Sequence, residues 1–357
     1  MDRLSGFVER SPRFWLRLAE WETRLADLDD TDAVSEPPVY VTGLARSGST
    51  ILLELLARHS HFATHRYRDF PLLFTPRLWN WFLDRAARNP PPAAERAHAD
   101  GIAVTPESPE AFEEVIWMAF FPDLHRPDRS AILGDQTRNP AFAAFYRDHI
   151  RKLLQLRGGR RYLAKGNYNV TRLEYLARLF PGARFLIPVR DPVWHIASLM
   201  KQHKLFSNAE KADPAVLRHM QRSGHFEFGL DRRPIHTGDG DALAEVRDHW
   251  AAGRELEGWA AYWSIVYGYV ADLLERRPDI RSATLVLRYE DLCRSPREWM
   301  AQTLAHCGLP CENLLELAAE RLHEPSYYRP CFSAGELDRL RQATRTTASR
   351  FGYGDDQ

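Results

Sequence analysis

The sequence predicts a single α/β domain, with a central parallel sheet, helices on both faces and a P-loop-like strand-loop-helix at its entrance. Three observations carry this prediction. "VYVTGL" at 39–44 is a continuous apolar run, as a strand buried on both faces requires, and it opens through "ARSGST" into an apolar helix. "RFLIPV" at 184–189 is a second such run, ending in Arg-Asp-Pro before a helical stretch. "YLAKG" at 162–166 and "ATLVLRYEDL" at 283–292 are further strand candidates, each followed by a helical pattern. Strands that alternate with helices build parallel sheets.

Taken in order, residues 11–28 carry Phe14, Trp15, Leu18, Trp21, Leu25 and Leu28 at helical spacing, and the breaker run "DDTDAVSEPP" follows. This predicts an N-terminal helical arm over 1–36 and an α/β domain over 37–357. The first strand leads into a helix over 49–59. The second precedes a helix ending at "LFPGA", and the third runs into "DPVWHIASLMKQH". The fourth precedes a helix around "EWMAQTLAHCGL". Two long insertions separate these units. Residues 70–150 hold the aromatic stretch "PLLFTPRLWNWF" and the break "NPPP", and residues 201–260 hold "GHFEFGLDRRPIHTGDGDA". Insertions of this length supply ligand-facing loops or lids on an α/β scaffold, here for the acceptor.

Composition removes several function classes. Hydrophobic residues make up 44 % of 357, enough for a sizeable core, and 48 basic residues balance 48 acidic ones. A broad basic footprint for nucleic acid is therefore absent, and any anion must be held locally. The four cysteines show no metal or disulfide spacing, which suits reduced thiols in a cytoplasmic protein. The N-terminal stretch lacks an apolar signal region, and no run of about 18 uncharged apolar residues implies a membrane span.

The loop after the first strand resembles a Walker A loop, but Ser49 stands where the lysine belongs. A strand turning through Gly43 and Gly48 into a helix aims backbone N–H groups and a helix dipole at one small anion. Ser47, Ser49 and Thr50 add hydroxyl donors, and Arg46 adds a planar fork suited to phosphate or sulfate. A bare turn would need only the glycines. Without the lysine and without an obvious Mg²⁺ aspartate, ATP hydrolysis is poorly supported. A second anion site is expected at Arg190, which ends a buried strand, with Ser198 two helical turns further on. An arginine there could equally be structural, paired with Asp191.

These paired motifs resemble those of sulfotransferases that use 3′-phosphoadenosine 5′-phosphosulfate (PAPS). Arg46-Ser47-Gly48-Ser49-Thr50 is similar to their 5′-phosphosulfate loop, and Arg190 with Ser198 matches their 3′-phosphate motif in type and spacing. "LRYEDLCRSP" resembles the family's Tyr-Glu-Asp strand end, with Tyr289 as the matching residue, and the tail "RFGY" resembles the ending of many bacterial members. The resemblance covers 38–200 and 284–354, and leaves out the 201–260 insertion. It implies sulfuryl transfer from PAPS, as co-substrate and without a metal, to a hydroxyl or amine. The acceptor would be a small molecule, a glycan or a peptide, and the sequence leaves room for a homodimer. The alternative is a P-loop kinase-like phosphotransferase.

Catalysis would then rest on Arg46 and on Lys165, a lysine that the family places on the leaving phosphate at this strand end. A lysine after a strand is otherwise a surface residue. For the base, Glu54 interrupts the apolar helix "ILLELL" one turn after Thr50, where burial would raise its pKa. The rival is Asp69 in "HRYRDFP", placed to orient the acceptor, with His65, Arg66 and Arg68 as an acceptor-binding cluster. Small-molecule members carry a histidine two residues after the lysine, and here that position is Asn167. His225 and Glu227 in "GHFEFG" form a subsidiary pair within the insertion.

Overall fold

Apolar runs of four to six residues are too short for buried helices and lie down as strands. In the computed structural model, which describes residues 6, 11–26, 28, 36–86, 92–96, 98, 101–324 and 328–354, they are β1 (Glu36–Val41), β5 (Arg161–Lys165), β6 (Arg184–Val189) and β7 (Thr284–Arg288). A short edge strand, β2 (Phe62–Ala63), was not expected. A separate antiparallel pair, β3 (Ala94–Glu95) and β4 (Ala103–Val104), lies in the first insertion. The main sheet is parallel throughout, in the order β2-β5-β1-β6-β7.

The period-two alternation of the strands divides the core into two layers. Val39, Val41, Leu163 and Leu186 meet Leu52, Leu53 and Leu56 of the helix Ser49–Leu56 on one face. Tyr40, Phe185, Ile187 and Val189 meet Tyr146, Trp263 and Tyr267 on the other. Each such side chain contributes about 1.5–3 kcal/mol by leaving water, which fixes the strand register. Register in turn aligns the functional edge. Val41 pairs with Lys165 and with Leu186, so β1, β5 and β6 all end at the same rim.

The leading helix forms over Pro12–Leu25. Trp15 and Ala19 pack against Phe74, and Lys152 pairs with Glu22 at 2.8 Å, so this part of the arm sits on the α/β body. The 201–260 insertion is more helical than its glycines and charges suggest. Helices Pro192–Ala212, Pro214–Ser223, Gly240–Ala251 and Glu255–Arg276 occupy most of it, leaving one irregular stretch over 224–239. The proline run at 89–92 falls largely outside the described residues. Among the described residues, no helix is long and apolar enough to cross a membrane, and all four cysteines are free thiols.

Candidate active site at the strand ends

The loop leaving β1 is tied to its neighbours before it turns. Thr42 N–H donates to Leu186 O at 2.9 Å, and the Thr42 hydroxyl donates to Gly166 O at 2.7 Å, linking the ends of three strands. Arg46 adopts φ 71° and Gly48 φ 101°. At Gly48 a Cβ would lie 2.4 Å from Tyr289 Cδ2, so glycine is required by both conformation and space. Gly48 caps the helix Ser49–Leu56, whose first N–H groups and dipole face the loop. Ser47 and Ser49 are buried beneath it.

At the end of β6, Arg190 is only 4 % exposed. Its guanidinium lies 5.1 Å from the ring of Tyr289, 5.6 Å from Tyr328 and 5.9 Å from Trp194. Arg190 Nε is buried without a hydrogen-bond partner. Asp191 is not turned to Arg190; its carboxylate caps the next helix, accepting from Val193 N at 2.9 Å and Trp194 N at 3.1 Å. Ser198 sits two turns along that helix, and Arg46 Nε donates to Ser198 Oγ at 3.3 Å. The two motifs, 152 residues apart in the chain, therefore meet.

Two latches hold these loops. His195 accepts Trp263 Nε1–H at Nδ1 (3.1 Å), which puts its own proton on Nε2, 2.8 Å from Ala45 O. Burial drives its pKa down to about 3, so the neutral ring pins the loop to the helix. At the other loop, Glu290 accepts Asp191 N–H at 3.0 Å, and the Tyr353 hydroxyl lies 2.6 Å from Glu290 Oε2 and 3.0 Å from Val189 O. The tail motif "RFGY" thus closes on the end of β6.

Lys165 ends β5 beside this loop, 9 % exposed. Burial lowers its pKa, with Arg96 and Arg46 adding to the effect and Glu110 and Glu227 opposing it. Burial would also raise Glu110, but Lys165, Arg96 and the Tyr67 hydroxyl hold it below the usual carboxylate range. Asn167 Nδ2 donates to Glu227 Oε1 at 2.7 Å, and His225 Nδ1 lies 3.5 Å from Glu227 Oε2. His225 and Glu227 of the insertion are thereby brought to the rim. Glu110, Arg96 and Tyr67 join the site without any sequence signal. Glu110 and Arg96 lie in an irregular insertion, which is folded in by backbone bonds such as Glu110 N–H to His65 O (3.0 Å) and Tyr67 N–H to Ser108 O (3.0 Å).

The other expected residues divide between a cavity wall and the interior. Glu54 is half-buried rather than enclosed, because its helix leaves one side open. It lies 3.8 Å from Arg321 and lines a cavity of about 310 Å³ with Arg66, Thr105, Glu107 and Arg157. Asp69 is locked in the interior: it accepts from Asn80 Nδ2 at 2.9 Å and Arg66 N at 2.8 Å, and pairs with Arg157. Burial would raise its pKa, but His65, Arg157 and Asn80 together hold it far below the carboxylate range, which leaves no useful basicity. His65 stacks on His149 at 5.0 Å inside the same network. Arg68 is committed to Asp84 and Glu107, and Arg66 also pairs with Glu107. The placement of Asp69, His65 and Arg68 corrects the expectation that they meet the acceptor. Their polar sequence context resembles a loop, but here Asp69 and His65 serve a buried network, and Arg68 pairs with carboxylates at the surface.

Known proteins share the fold. No curated protein sequence matches the chain. Among solved structures, a sulfotransferase of Mycobacterium avium aligns over 93 % of this chain and 81 % of its own at 16 % identity, with a TM-score of 0.53. A sulfotransferase of Mycobacterium tuberculosis aligns over 96 % and 85 % at 14 % identity, with a TM-score of 0.49. At such identities the M. avium structure supports the fold alone. The family model described as "Sulfotransferase family" matches residues 37–227, more than half the chain. By that match, the chain belongs to the sulfotransferase family.

Proposed function

We propose that the protein transfers the sulfuryl group of PAPS to a hydroxyl or amine acceptor by in-line displacement. The observation that carries this reading is the Arg46–Ser198 contact. It joins a loop shaped for one small anion to the helix that follows Arg190, a second, buried arginine whose Nε lacks a partner, an arrangement that suits two separated phosphates of one nucleotide. PAPS would supply the activated sulfuryl group. Arg46 and the N-terminal N–H groups of helix Ser49–Leu56 would hold the phosphosulfate. Lys165 would neutralise charge on the departing phosphate, and Arg190 with Ser198 would take the 3′-phosphate. Sulfuryl transfer resembles phosphoryl transfer in drawing mainly on positioning and charge stabilisation, which these groups provide. A kinase-like reading lacks its lysine at Ser49. A thermal-shift titration tests the proposal: adenosine 3′,5′-bisphosphate should raise Tm and ATP should not, while stabilisation by ATP alone would overturn it.

A further inference from the structure

The rim of the sheet holds a pair of side chains that the donor loops do not use. Glu227 is fixed at both oxygens, one by Asn167 directly after β5 and the other by His225 Nδ1. Asn167 itself is 6 % exposed, and its Oδ1 is buried without a hydrogen-bond partner. The His225 side chain is 24 % exposed, so part of the ring stays open to solvent. With Nδ1 turned to the carboxylate, Nε2 is the ring atom left to carry a proton. A base oriented by a third group is the arrangement that activates a hydroxyl.

We propose that His225, oriented by Glu227 and Asn167, is the general base that removes the acceptor's proton. This rests on the PAPS reading above. His225 Nε2 takes the proton as the acceptor oxygen or nitrogen bonds to sulfur. The sulfur–oxygen bond to the 5′-phosphate breaks, and its electron pair leaves with adenosine 3′,5′-bisphosphate beside Lys165. The proton then passes to solvent. The carboxylates nearby are poorer bases. Glu227, which burial would raise, is held down to about 2 by His225 and Asn167. Glu110 is also lowered and spends an oxygen on Ala111 N at 2.7 Å. The groups facing His225 are Glu227 on its own loop, Glu110 before the helix Glu113–Phe120, and Lys165 on β5. Burial and Lys165 push its pKa down, but the two carboxylates prevail and raise it.

A base must be unprotonated, so activity should rise with pH through the His225 pKa, above the ordinary histidine value. Glu227→Gln removes the main group that raises that pKa and should move this acid limb to lower pH. The assay follows conversion of PAPS to adenosine 3′,5′-bisphosphate with 2-naphthol, or with water where naphthol is not taken, across pH 5–9. Calorimetry measures adenosine 3′,5′-bisphosphate binding in parallel. His225→Asn should lower turnover about 10²–10⁴-fold with nucleotide affinity within threefold of wild type. Turnover of His225→Asn within threefold of wild type, or an acid limb unmoved in Glu227→Gln, overturns the assignment. Failure of the wild-type protein to bind adenosine 3′,5′-bisphosphate instead sinks the donor reading, whatever the variants do.

Discussion

Replacing Arg190 with methionine separates the two halves of the proposed nucleotide site. Methionine keeps length and apolar bulk among Tyr289, Tyr328 and Trp194 while deleting the charge. In the unliganded protein the change should cost little, because a guanidinium 4 % exposed with an unpartnered Nε has already lost much of its hydration. The melting temperature should stay level or rise. A charge-assisted hydrogen bond contributes about 1.5–3 kcal/mol, so one lost contact weakens the ligand by roughly 10- to 150-fold, and a bidentate contact by more. Calorimetric titration should therefore show that loss for adenosine 3′,5′-bisphosphate. Adenosine 5′-phosphate has no 3′-phosphate to lose and should change by less than about threefold. Equal losses for both nucleotides would place Arg190 at the shared part of the ligand. No loss for either would remove it from the site.

Three other outcomes follow from the same geometry. Asp69→Asn leaves Arg157 without its buried partner and should destabilise the fold by about 3–5 kcal/mol in denaturant melts. Because the folded pKa of Asp69 is depressed, its stabilisation is complete above the unfolded value of about 3.9 and is lost as pH falls below it. The variant should therefore show a flatter acid branch of stability than wild type. Glu54→Gln, in the wall of the 310 Å³ cavity, should act on acceptor KM rather than on kcat; a kcat loss matching that of His225→Asn would restore Glu54 as the base. Turnover should persist in EDTA, since Arg46 and Lys165 provide the charge; complete loss restored by Mg²⁺ would favour phosphotransfer.

Much of the geometry at the ends of β1 and β6 was legible in the sequence because local chemistry fixes it. Gly43, Gly48 and the apolar run before them can form few structures other than a tight strand-to-helix turn, and "RFLIPV" becomes a strand over the same six residues. The acceptor side was not legible, for two physical reasons. Glu54 was expected to be enclosed from the apolar letters around it, but the helix Ser49–Leu56 packs one face on β1 and β5, and Glu54 keeps 13 % of its side chain exposed beside Arg321. Asp69 sits among arginines in the sequence, but it is itself buried against Arg157 and Asn80, while Arg66 and Arg68 pair with the exposed Glu107 and Asp84. Glu110 and Arg96 reach Lys165 only through tertiary folding of an irregular insertion. No periodicity encodes that.

Contacts from two sides explain why a loop with two left-handed residues can hold its shape. A non-glycine residue at positive φ, such as Arg46, costs on the order of 1 kcal/mol, so the loop needs outside support to hold that geometry. His195 supplies it from below by fixing Ala45 O to the helix that also carries Ser198, and Tyr289 supplies it from above by packing against Gly48. That same tyrosine ring faces Arg190, and the residue after it, Glu290, holds Asp191 N. The loop after β1 and the end of β6 are therefore braced by shared residues on one helix and at one strand end. A nucleotide bound at either loop would meet a partner already set in place, which lowers the ordering cost of binding.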